Sequence, residues 1–355
     1  MPNKTIATVV GARPQFIKAA PVSRALKNAF QEILIHTGQH YDYGMSDIFF
    51  EEMEMQKPAF HLGVGGGGHS EQTGKMLIEL EKVIQSIQPN LVLVYGDTNS
   101  TLAGALAAAK ANIPVAHIEA GLRSYNRAMP EEINRVLTDH ISTFLFCPTH
   151  VAVNNLAKEG IANGAHQVGD VMFDALLHNL TLARKKSNVL SRLNIAKGEY
   201  ALATIHRAAN TDNKEKLKSI LEGLAGLETK IILPLHPRTR KMMNEWNVAV
   251  NKNIDLIEPV GYFDMLILQE NANCILTDSG GVQKEAYLLG VRCITLREET
   301  EWVETVEAGW NTLVGTNAHL IQNAFANWFP SAERATFYGN GDAALKITEI
   351  LKQNL

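Results

Sequence analysis

Short apolar runs alternate with longer, more polar stretches along the chain. In the first half, apolar runs rich in β-branched residues predict buried strands at 5–10, 33–36, 91–95, 114–118 and 144–147. The intervening stretches predict helices at 15–26, 102–111, 130–141 and 151–158. Strands that alternate with helices in this way form a parallel sheet that is covered on both faces.

The same alternation begins again in the second half. Residues 180–197 are polar and lose strand character, which predicts the crossing between two domains. Strands are then predicted at 201–204, 231–235, 254–257, 274–277 and 293–296, and a closing helix at 343–351. We therefore predict an α/β protein of two Rossmann-like domains with a cleft between them. Ligands of such sheets bind at the carboxyl ends of the strands.

Composition narrows the classes of function. At 355 residues, with 46% hydrophobic and 20% charged residues, the chain has the profile of a two-domain globular protein. A net charge of −4 argues against nucleic acid or an anionic membrane as the main partner. The apolar run at 6–10 is too short for a membrane span or signal peptide, so the cytoplasm is the expected compartment.

Neither a metal site nor a disulfide is predicted. Cys147, Cys274 and Cys293 lie far apart in apolar runs, which favours buried thiols. The His and Cys residues show no spacing typical of metal ligands.

A turn of small residues follows the predicted strand at 274–277. Ser279, Gly280 and Gly281 precede a predicted helix at 282–289. Bare glycines let backbone N–H groups approach a phosphate, and the helix N-terminus adds positive partial charge. Glu285, in the first turns of this helix, is placed to reach a sugar hydroxyl of the same ligand. The alternative is an ordinary strand-to-helix turn with Ser279 as its cap.

Carboxylates in the first half are candidates for proton transfer. Asp97 and Glu119 each follow a predicted strand, and Glu131 and Glu132 begin a helix. If these strands are neighbours, the acids converge, and one of them is then available as an acid while another acts as a base. In the alternative, Asp97 caps the next helix and the glutamates interact with the helix dipole.

Cations also lie at predicted strand ends. Arg13 and Lys18 follow the first strand, and His206 and Arg207 follow the first strand of the second half. The turn at 236–240 is also basic. Arg binds phosphate oxygens in a forked geometry and His can donate to them, so this placement favours an anionic ligand over solvated surface charge. The four glycines at 65–68 predict a surface loop or a mobile flap over a site.

Together, these segments resemble the non-hydrolysing UDP-N-acetylglucosamine 2-epimerases. The resemblance runs in order from about residue 5 to about residue 342. The matching segments are 11–18 (GARPQFIK), 95–98 (YGDT), 117–123 (HIEAGLR), 130–135 (PEEINR), 168–170 (VGD), 204–207 (TIHR) and 277–285 (TDSGGVQKE).

The resemblance implies a glycosyltransferase-B-like fold, with an N-terminal domain of residues 1–169 plus 341–355 and a UDP-binding domain of residues 170–340. It also implies a homodimer whose C-terminal helix crosses back to the first domain. The implied reaction inverts C2 of the sugar in UDP-GlcNAc. UDP is eliminated across C1–C2 to leave a 2-acetamidoglucal and is then added back, with the proton returning on the opposite face of C2. No cofactor is needed, because UDP itself leaves and returns.

The resemblance also implies roles for individual residues. Asp97, Glu119 and Glu131 match the catalytic carboxylates, and His206 matches a residue beside the diphosphate that assists its departure. The residues that match the UDP-binding positions are Arg13, Lys18, Ser279, Gly280, Gly281 and Glu285.

Four positions depart from the best-known members of this family. Trp302 replaces a basic residue, Ala209 a glutamate and Val260 a glutamine. Tyr41, after Gln39 and His40, replaces a basic residue of a regulatory loop, which argues against activation by a second UDP-GlcNAc.

Alternative functions follow from these departures and from the fold. The segment at 300–304 (TEWVE) resembles the branch that acts on UDP-2,3-diacetamido-glucuronic acid, which remains an alternative substrate. A glycosyltransferase of the same fold is a second alternative, although it would not need three acids in one pocket. A non-catalytic nucleotide-sugar sensor would not need Asp97, Glu119 and Glu131 either.

Overall fold

The computed structural model describes residues 4–39, 50 and 55–355, without the side chain of Arg13. The loop at 40–41 therefore lies outside the described residues. The chain divides into two compact units, Met1–Leu177 with Thr336–Leu355, and His178–Ala335. In the described part of the chain, each unit contains one parallel sheet with helices around it.

The first unit is built on a parallel sheet of seven strands in the order β3-β2-β1-β4-β5-β6-β7. Its strands are β1 (Thr5–Val10), β2 (Gln31–His36), β3 (Phe60–His61), β4 (Leu91–Tyr95), β5 (Val115–Ile118), β6 (Phe144–Cys147) and β7 (Ala165–Gln167). Every residue of β4, at the centre, is buried. The edge strands β3 and β7 are short and partly exposed, so they lack the apolar run that predicts a strand.

Helices connect these strands. They are α1 (Arg13–Leu26), α2 (His69–Ile87), α3 (Asn99–Lys110), α4 (Pro130–Ile141), α5 (His150–Lys158) and α6 (Val171–Lys186), of which α6 continues into the second unit. Pro130 stands in the first turn of α4, where its missing N–H and fixed φ favour helix initiation. Residues 65–68, predicted to form a loop or flap, directly precede α2.

The second unit repeats this architecture with a parallel sheet of six strands in the order β10-β9-β8-β11-β12-β13. The strands are β8 (Tyr200–Thr204), β9 (Lys230–Pro234), β10 (Ile254–Ile257), β11 (Cys274–Thr277), β12 (Cys293–Thr295) and β13 (Asn311–Leu313). The helices are α7 (Val189–Leu193), α8 (Ala208–Thr211), α9 (Lys214–Ala225), α10 (Pro237–Glu245), α11 (Tyr262–Asn271), α12 (Gly280–Leu289), α13 (Val303–Glu307) and α14 (Ala318–Asn327).

The last helix, α15 (Ala343–Asn354), belongs to the first unit and packs against α1. Asp174 of α6 accepts hydrogen bonds from the backbone N–H groups of Ala343 (3.2 Å) and Ala344 (2.8 Å). These bonds satisfy two of the four N–H groups that a helix N-terminus leaves unpaired. Among the described helices, none has both the length and the apolar character needed to span a membrane.

Each sheet has one point at which the order of its strands reverses. In the first sheet this point lies between β1 and β4, and in the second it lies between β8 and β11. Loops that leave neighbouring strands in opposite directions open a crevice there, which is where open α/β sheets bind ligands. Gly11 and Asp97 follow the strands at this point in the first unit, and His206 and Ser279 follow those in the second.

Gly11 is tightly packed at this point of the first sheet. A Cβ atom added to it would lie 2.0 Å from Thr37 Oγ1 and 2.2 Å from Ser100 Oγ. Its N–H donates to Gln15 Oε1 (2.8 Å), and the Gln15 amide donates to the carbonyl of Tyr95 (2.9 Å). Gly11 thus lets the loops after β1 and β4 meet.

We expect Gly11→Ala to lower the free energy of unfolding by about 1–3 kcal/mol, the usual effect of overpacking. Gly74→Ala is the matched control, because Gly74 lies inside α2 and an added Cβ meets no atom within 4 Å. It should raise the free energy of unfolding by about 0.5–1 kcal/mol through helix propensity. Chemical denaturation measures both changes, and equal effects would contradict the assigned packing.

Candidate active site

Lys18 and Glu119 form an ion pair at the carboxyl ends of β1 and β5. The Lys18 ammonium, on α1, contacts Glu119 Oε2, and the two side chains are only 14% and 10% exposed. Glu119 directly follows β5 and has φ +74°, a left-handed conformation that residues with a side chain seldom adopt. Such an outlier, held by its surroundings, is typical of functional sites.

Asp97 is paired with a different cation. Its Oδ2 contacts Arg135 Nη2 on α4, and Arg135 Nη1 also donates to Glu132 Oε2 (2.9 Å). Asn134, beside Arg135 in α4, donates to the backbone carbonyl of Asp97 (3.0 Å). Both the side chain and the backbone of Asp97 are therefore positioned by α4.

These charges form one cluster. Burial opposes the charge of Lys18, but the carboxylates of Glu119 and Asp97 raise its pKa above the ordinary value. Burial likewise opposes the charge of Arg135, and Asp97, Glu132 and Glu119 raise its pKa. Since Asp97 and Glu119 act on both cations, the carboxylates predicted after β4 and β5 lie close together in the structure.

The two glutamates at the start of α4 differ in their surroundings. The side chain of Glu131 is exposed and forms no hydrogen bond or ion pair with the described residues. Glu132 is 1% exposed and accepts hydrogen bonds from the N–H groups of Ser124 and Tyr125, both 2.9 Å. Burial alone would raise the pKa of Glu132, but these bonds and Arg135 lower it. Glu132, rather than Glu131, is therefore linked through Arg135 to Asp97.

Sequence reasoning gave no role to Arg135, His117 or Asp139. His117 is buried on β5, two residues before Glu119. Its Nδ1 lies 2.6 Å from Asp139 Oδ1 and its Nε2 lies 2.7 Å from the Gly96 carbonyl oxygen. One available signal was helical spacing, because Glu132, Arg135 and Asp139 share one face of α4.

In the second unit, Ser279 caps α12. Its side chain accepts from the N–H of Val282 at 3.5 Å, which matches the capping alternative for this turn. Gly280 is buried, and a Cβ added to it would lie 2.0 Å from Glu301 Oε1. Glu301 also pairs with Arg297 (3.0 Å) and approaches Arg207 (3.5 Å). A carboxylate therefore lies against the turn that was predicted to hold phosphate.

His206 follows β8 and lies beside this turn. The buried carboxylate of Asp278 accepts from the backbone N–H groups of His206 (3.0 Å) and Arg207 (3.0 Å), and its Oδ1 lies 3.7 Å from His206 Nδ1. The His206 side chain is 39% exposed, and its ring centroid lies 5.5 Å from that of His236. Asp278 thus fixes the backbone while leaving the imidazole accessible.

Glu285 is held by neutral partners. Its oxygens accept from Gln269 Nε2 (2.7 Å) and lie 3.3 Å from Tyr262 Oη. Burial raises the pKa of Glu285, although these hydrogen bonds act in the opposite direction. Each oxygen of the Glu285 carboxylate therefore already has a hydrogen-bond partner within the protein.

Trp302, the residue that replaces a cation, packs against another cation. Lys284 Nζ lies 4.4 Å from the centroid of the Trp302 ring, and Lys284 is 4% exposed. Trp302 Nε1 lies 3.4 Å from the position that a Cβ on Gly280 would take. The substitution therefore changes the surface beside the turn at 279–281.

The three cysteines lie in the cores of the two units. Cys147, Cys274 and Cys293 are buried free thiols, as predicted, and burial raises the pKa of Cys147 and Cys274 to about 12. In the part of the chain that the structure describes, no group of three or more His, Cys, Asp or Glu residues is arranged to hold a metal ion.

Comparison with known proteins identifies close relatives. The profile of the family described as UDP-N-acetylglucosamine 2-epimerase matches residues 24–352. A Methanococcus maripaludis protein named UDP-N-acetylglucosamine 2-epimerase homolog is 54% identical over 353 residues, 98% of this chain and 99% of the relative. A Pseudomonas aeruginosa protein named UDP-2,3-diacetamido-2,3-dideoxy-D-glucuronate 2-epimerase is 47% identical over 98% of this chain and 99% of its own.

A solved structure supports the same relationship. Methanocaldococcus jannaschii UDP-GlcNAc 2-epimerase, crystallised with UDP-GlcNAc and UDP, is 49% identical to this chain. The match covers 99% of this chain and 100% of that one, with a TM-score of 0.84. The prediction of two Rossmann-like domains in a glycosyltransferase-B-like fold is confirmed.

The groups around His206 predict shifts of its pKa in opposite directions in two variants. Burial lowers its pKa, Asp278 raises it, and His236 and Arg207 lower it. His236→Asn should raise the pKa of His206, because it removes a positive neighbour while Asn can still cap α10. Asp278→Asn should lower it further. NMR titration of the His206 ring measures both, with His319→Asn as a control. Shifts of the same sign in both variants would contradict this account.

Proposed function

Because the chain belongs to the UDP-N-acetylglucosamine 2-epimerase family, a family of isomerases, we propose that it interconverts UDP-GlcNAc and UDP-ManNAc. UDP is eliminated across C1–C2 and then added back at C1, while the proton returns to the opposite face of C2. This reaction needs a base for the C2 proton, an acid to return it, and stabilisation of the departing diphosphate. The observation that carries the proposal is the cluster of Asp97 and Glu119 with Lys18 and Arg135.

We assign proton transfer at C2 to Asp97 and Glu119. Each carboxylate is paired with a cation, Glu119 with Lys18 and Asp97 with Arg135, and each follows one of two neighbouring strands. Glu131 is the third proposed acid, on the strength of the resemblance, and its exposure leaves its carboxylate accessible to a ligand.

We assign UDP to the residues that match the family's binding positions. Ser279, Gly280 and Gly281 present the N-terminus of α12, and His206 stands beside them with an accessible ring. We propose that His206 assists the departure of the diphosphate and that Glu285 contacts a sugar hydroxyl. Arg13 and Lys18 also match UDP-binding positions and are proposed to contact the UDP-sugar, although Lys18 is already paired with Glu119.

A direct test follows C2 during incubation with UDP-GlcNAc in deuterated water. We expect UDP-ManNAc to form and deuterium to appear at C2 of both UDP-ManNAc and UDP-GlcNAc, because the proton returns from solvent. Turnover without deuterium at C2, or no turnover of any UDP-sugar, would exclude this mechanism.

A second candidate substrate is UDP-2,3-diacetamido-glucuronic acid. It is favoured by Trp302 beside Gly280 and by the 47% identity to the Pseudomonas aeruginosa relative. Parallel assays with both substrates separate the candidates. Good turnover of UDP-GlcNAc with none of the uronate would refute the second.

We also propose that two copies of the chain associate, as the resemblance implies. Ile133 (42% exposed) and Leu137 (48%) on α4, and Val151 (48%) on α5, present apolar side chains to the surface of the first unit. Such apolar exposure is typical of interaction surfaces. Light scattering measures the mass in solution, and a mass of 39.0 kDa, that of one chain, would contradict the association.

The proposed roles of the acids make a mutational prediction. An amide retains most of the shape of a carboxylate and can accept a hydrogen bond, but it cannot exchange a proton with carbon. Asp97→Asn, Glu119→Gln and Glu131→Gln should each lower kcat by a factor of about 100 or more. The free energy of unfolding should fall by no more than about 3 kcal/mol, and least for the exposed Glu131.

Kinetics, denaturation and UDP calorimetry on the same variants check this expectation, with UDP binding preserved. Glu81→Gln on α2 is the control for loss of a surface charge. A folded variant that retained full turnover and C2 exchange would assign its carboxylate a structural role.

A further inference from the structure

His117 is a fully buried histidine with an oxygen at each ring nitrogen. It lies on β5, two residues before Glu119, and its side chain is 0% exposed. Nδ1 lies 2.6 Å from Asp139 Oδ1, and Nε2 lies 2.7 Å from the carbonyl oxygen of Gly96.

The chemistry of these oxygens fixes the direction of both hydrogen bonds. A backbone carbonyl only accepts, so Nε2 carries a proton and donates it to Gly96. Burial acts to raise the pKa of Asp139, but His117 and Arg123 lower it below the ordinary value. Asp139 is therefore an ionised acceptor, and Nδ1 also donates.

Asp139 connects this histidine to the loop that carries Glu119. Its Oδ2 accepts from the backbone N–H of Gly121 (3.1 Å) and from Arg123 Nη1 (2.7 Å). Arg123 in turn forms a paired contact with Glu159 through Nε (2.7 Å) and Nη2 (2.8 Å). The loop after β4 is held at Gly96 and the loop after β5 at Gly121, so one buried network supports both.

The bond to Gly96 acts on the peptide group that determines the position of Asp97. The carbonyl of Gly96 belongs to the same planar peptide as the nitrogen of Asp97, so holding one holds the other. Gly96 has φ +64°, a conformation open to glycine at little cost, so its own backbone does not fix this peptide.

The space around Gly96 is also shared with the other carboxylate. A Cβ on Gly96 would lie 3.2 Å from Lys18 Nζ and 3.3 Å from Glu119 Oε2. The two loops are thus close enough that rotation of the Gly96–Asp97 peptide would change how Asp97 and Glu119 face each other.

We propose that His117 is a positioning residue for the reaction, whose Nε2–H bond to the Gly96 carbonyl holds the Asp97 carboxylate in register with Glu119. This inference rests on the proposed epimerase function. It assigns His117 no contact with substrate, because its ring is fully buried and both nitrogens are engaged. The alternative is a core histidine that contributes only stability.

Two substitutions separate the two hydrogen bonds. His117→Gln places its amide nitrogen near the position of Nε2, so it retains the bond to Gly96 and loses the one to Asp139. His117→Asn places its amide nitrogen near the position of Nδ1, so it retains the bond to Asp139 and loses the one to Gly96. Both variants lose the imidazole ring, so each is the control for the other.

Positioning predicts a difference in kcat between these variants. We expect His117→Gln to remain within about tenfold of wild type and His117→Asn to lose about 100-fold, the usual effect of a misplacement of about 1 Å. KM should change by less than about threefold in both, since the ring of His117 is fully buried and bonds to no residue assigned to UDP binding. Equal kcat values, or a loss of kcat that follows only the midpoint of unfolding, would overturn the proposal.

Asp139→Asn keeps the test decisive if His117→Asn does not fold. An asparagine at this position can donate to Nδ1, which leaves Nε2 protonated and bonded to Gly96. We expect a lower midpoint of unfolding with kcat within about tenfold of wild type. A folded Asp139→Asn or His117→Gln variant that lost about 100-fold in kcat would overturn the assignment.

A second readout is independent of activity. If the wild-type protein epimerises no UDP-sugar, the proposed function fails, and the backbone amide NMR signal of Asp97 then tests positioning alone. This signal should remain near its wild-type position in His117→Gln and move in His117→Asn. Equal movement in both variants would overturn the positioning role, whatever the substrate.

Discussion

Pairing of buried charges is the constraint on which the first unit depends. Asp97 and Glu119 leave adjacent strands, and each meets a cation from a different helix, Arg135 on α4 and Lys18 on α1. Removing one member of such a largely buried pair is destabilising, because the other charge remains without compensation. The docking of α1 and α4 and the positions of the two carboxylates are therefore aspects of one interaction.

Sequence reasoning succeeded where local composition determines structure. β6 and β11 have the predicted bounds, because a buried strand in a parallel sheet is a continuous apolar run. β3 has only two residues, so no local pattern identifies it. The positions of Asp97 and Glu119 followed from the strand ends, whereas their partners did not. Arg135 and Asp97 are 38 residues apart in sequence, and only tertiary packing brings them together.

In the second unit, the turn at 279–281 both caps a helix and is the proposed binding site for UDP. Ser279 caps α12, and Asp278 holds the loop after β8, so hydrogen bonds within the protein position both neighbouring strand ends. Glu301 lies against Gly280, with Arg297 and Arg207 near its carboxylate. A negative group beside a helix N-terminus and two guanidinium groups is favoured electrostatically, and a diphosphate there would interact with the same positive groups.

The conformation of Glu119 links the core to the proposed chemistry. Glycine would adopt φ +74° at little cost, but it has no carboxylate, whereas a glutamate there costs about 1–3 kcal/mol. The surrounding backbone offsets this cost: Glu119 N–H donates to the Phe146 carbonyl (3.1 Å), and two residues later Gly121 N–H donates to Asp139. Asp139 also holds His117, which holds Gly96. The strain at one carboxylate and the position of the other therefore depend on the same buried aspartate, so a change in this network alters both acids together.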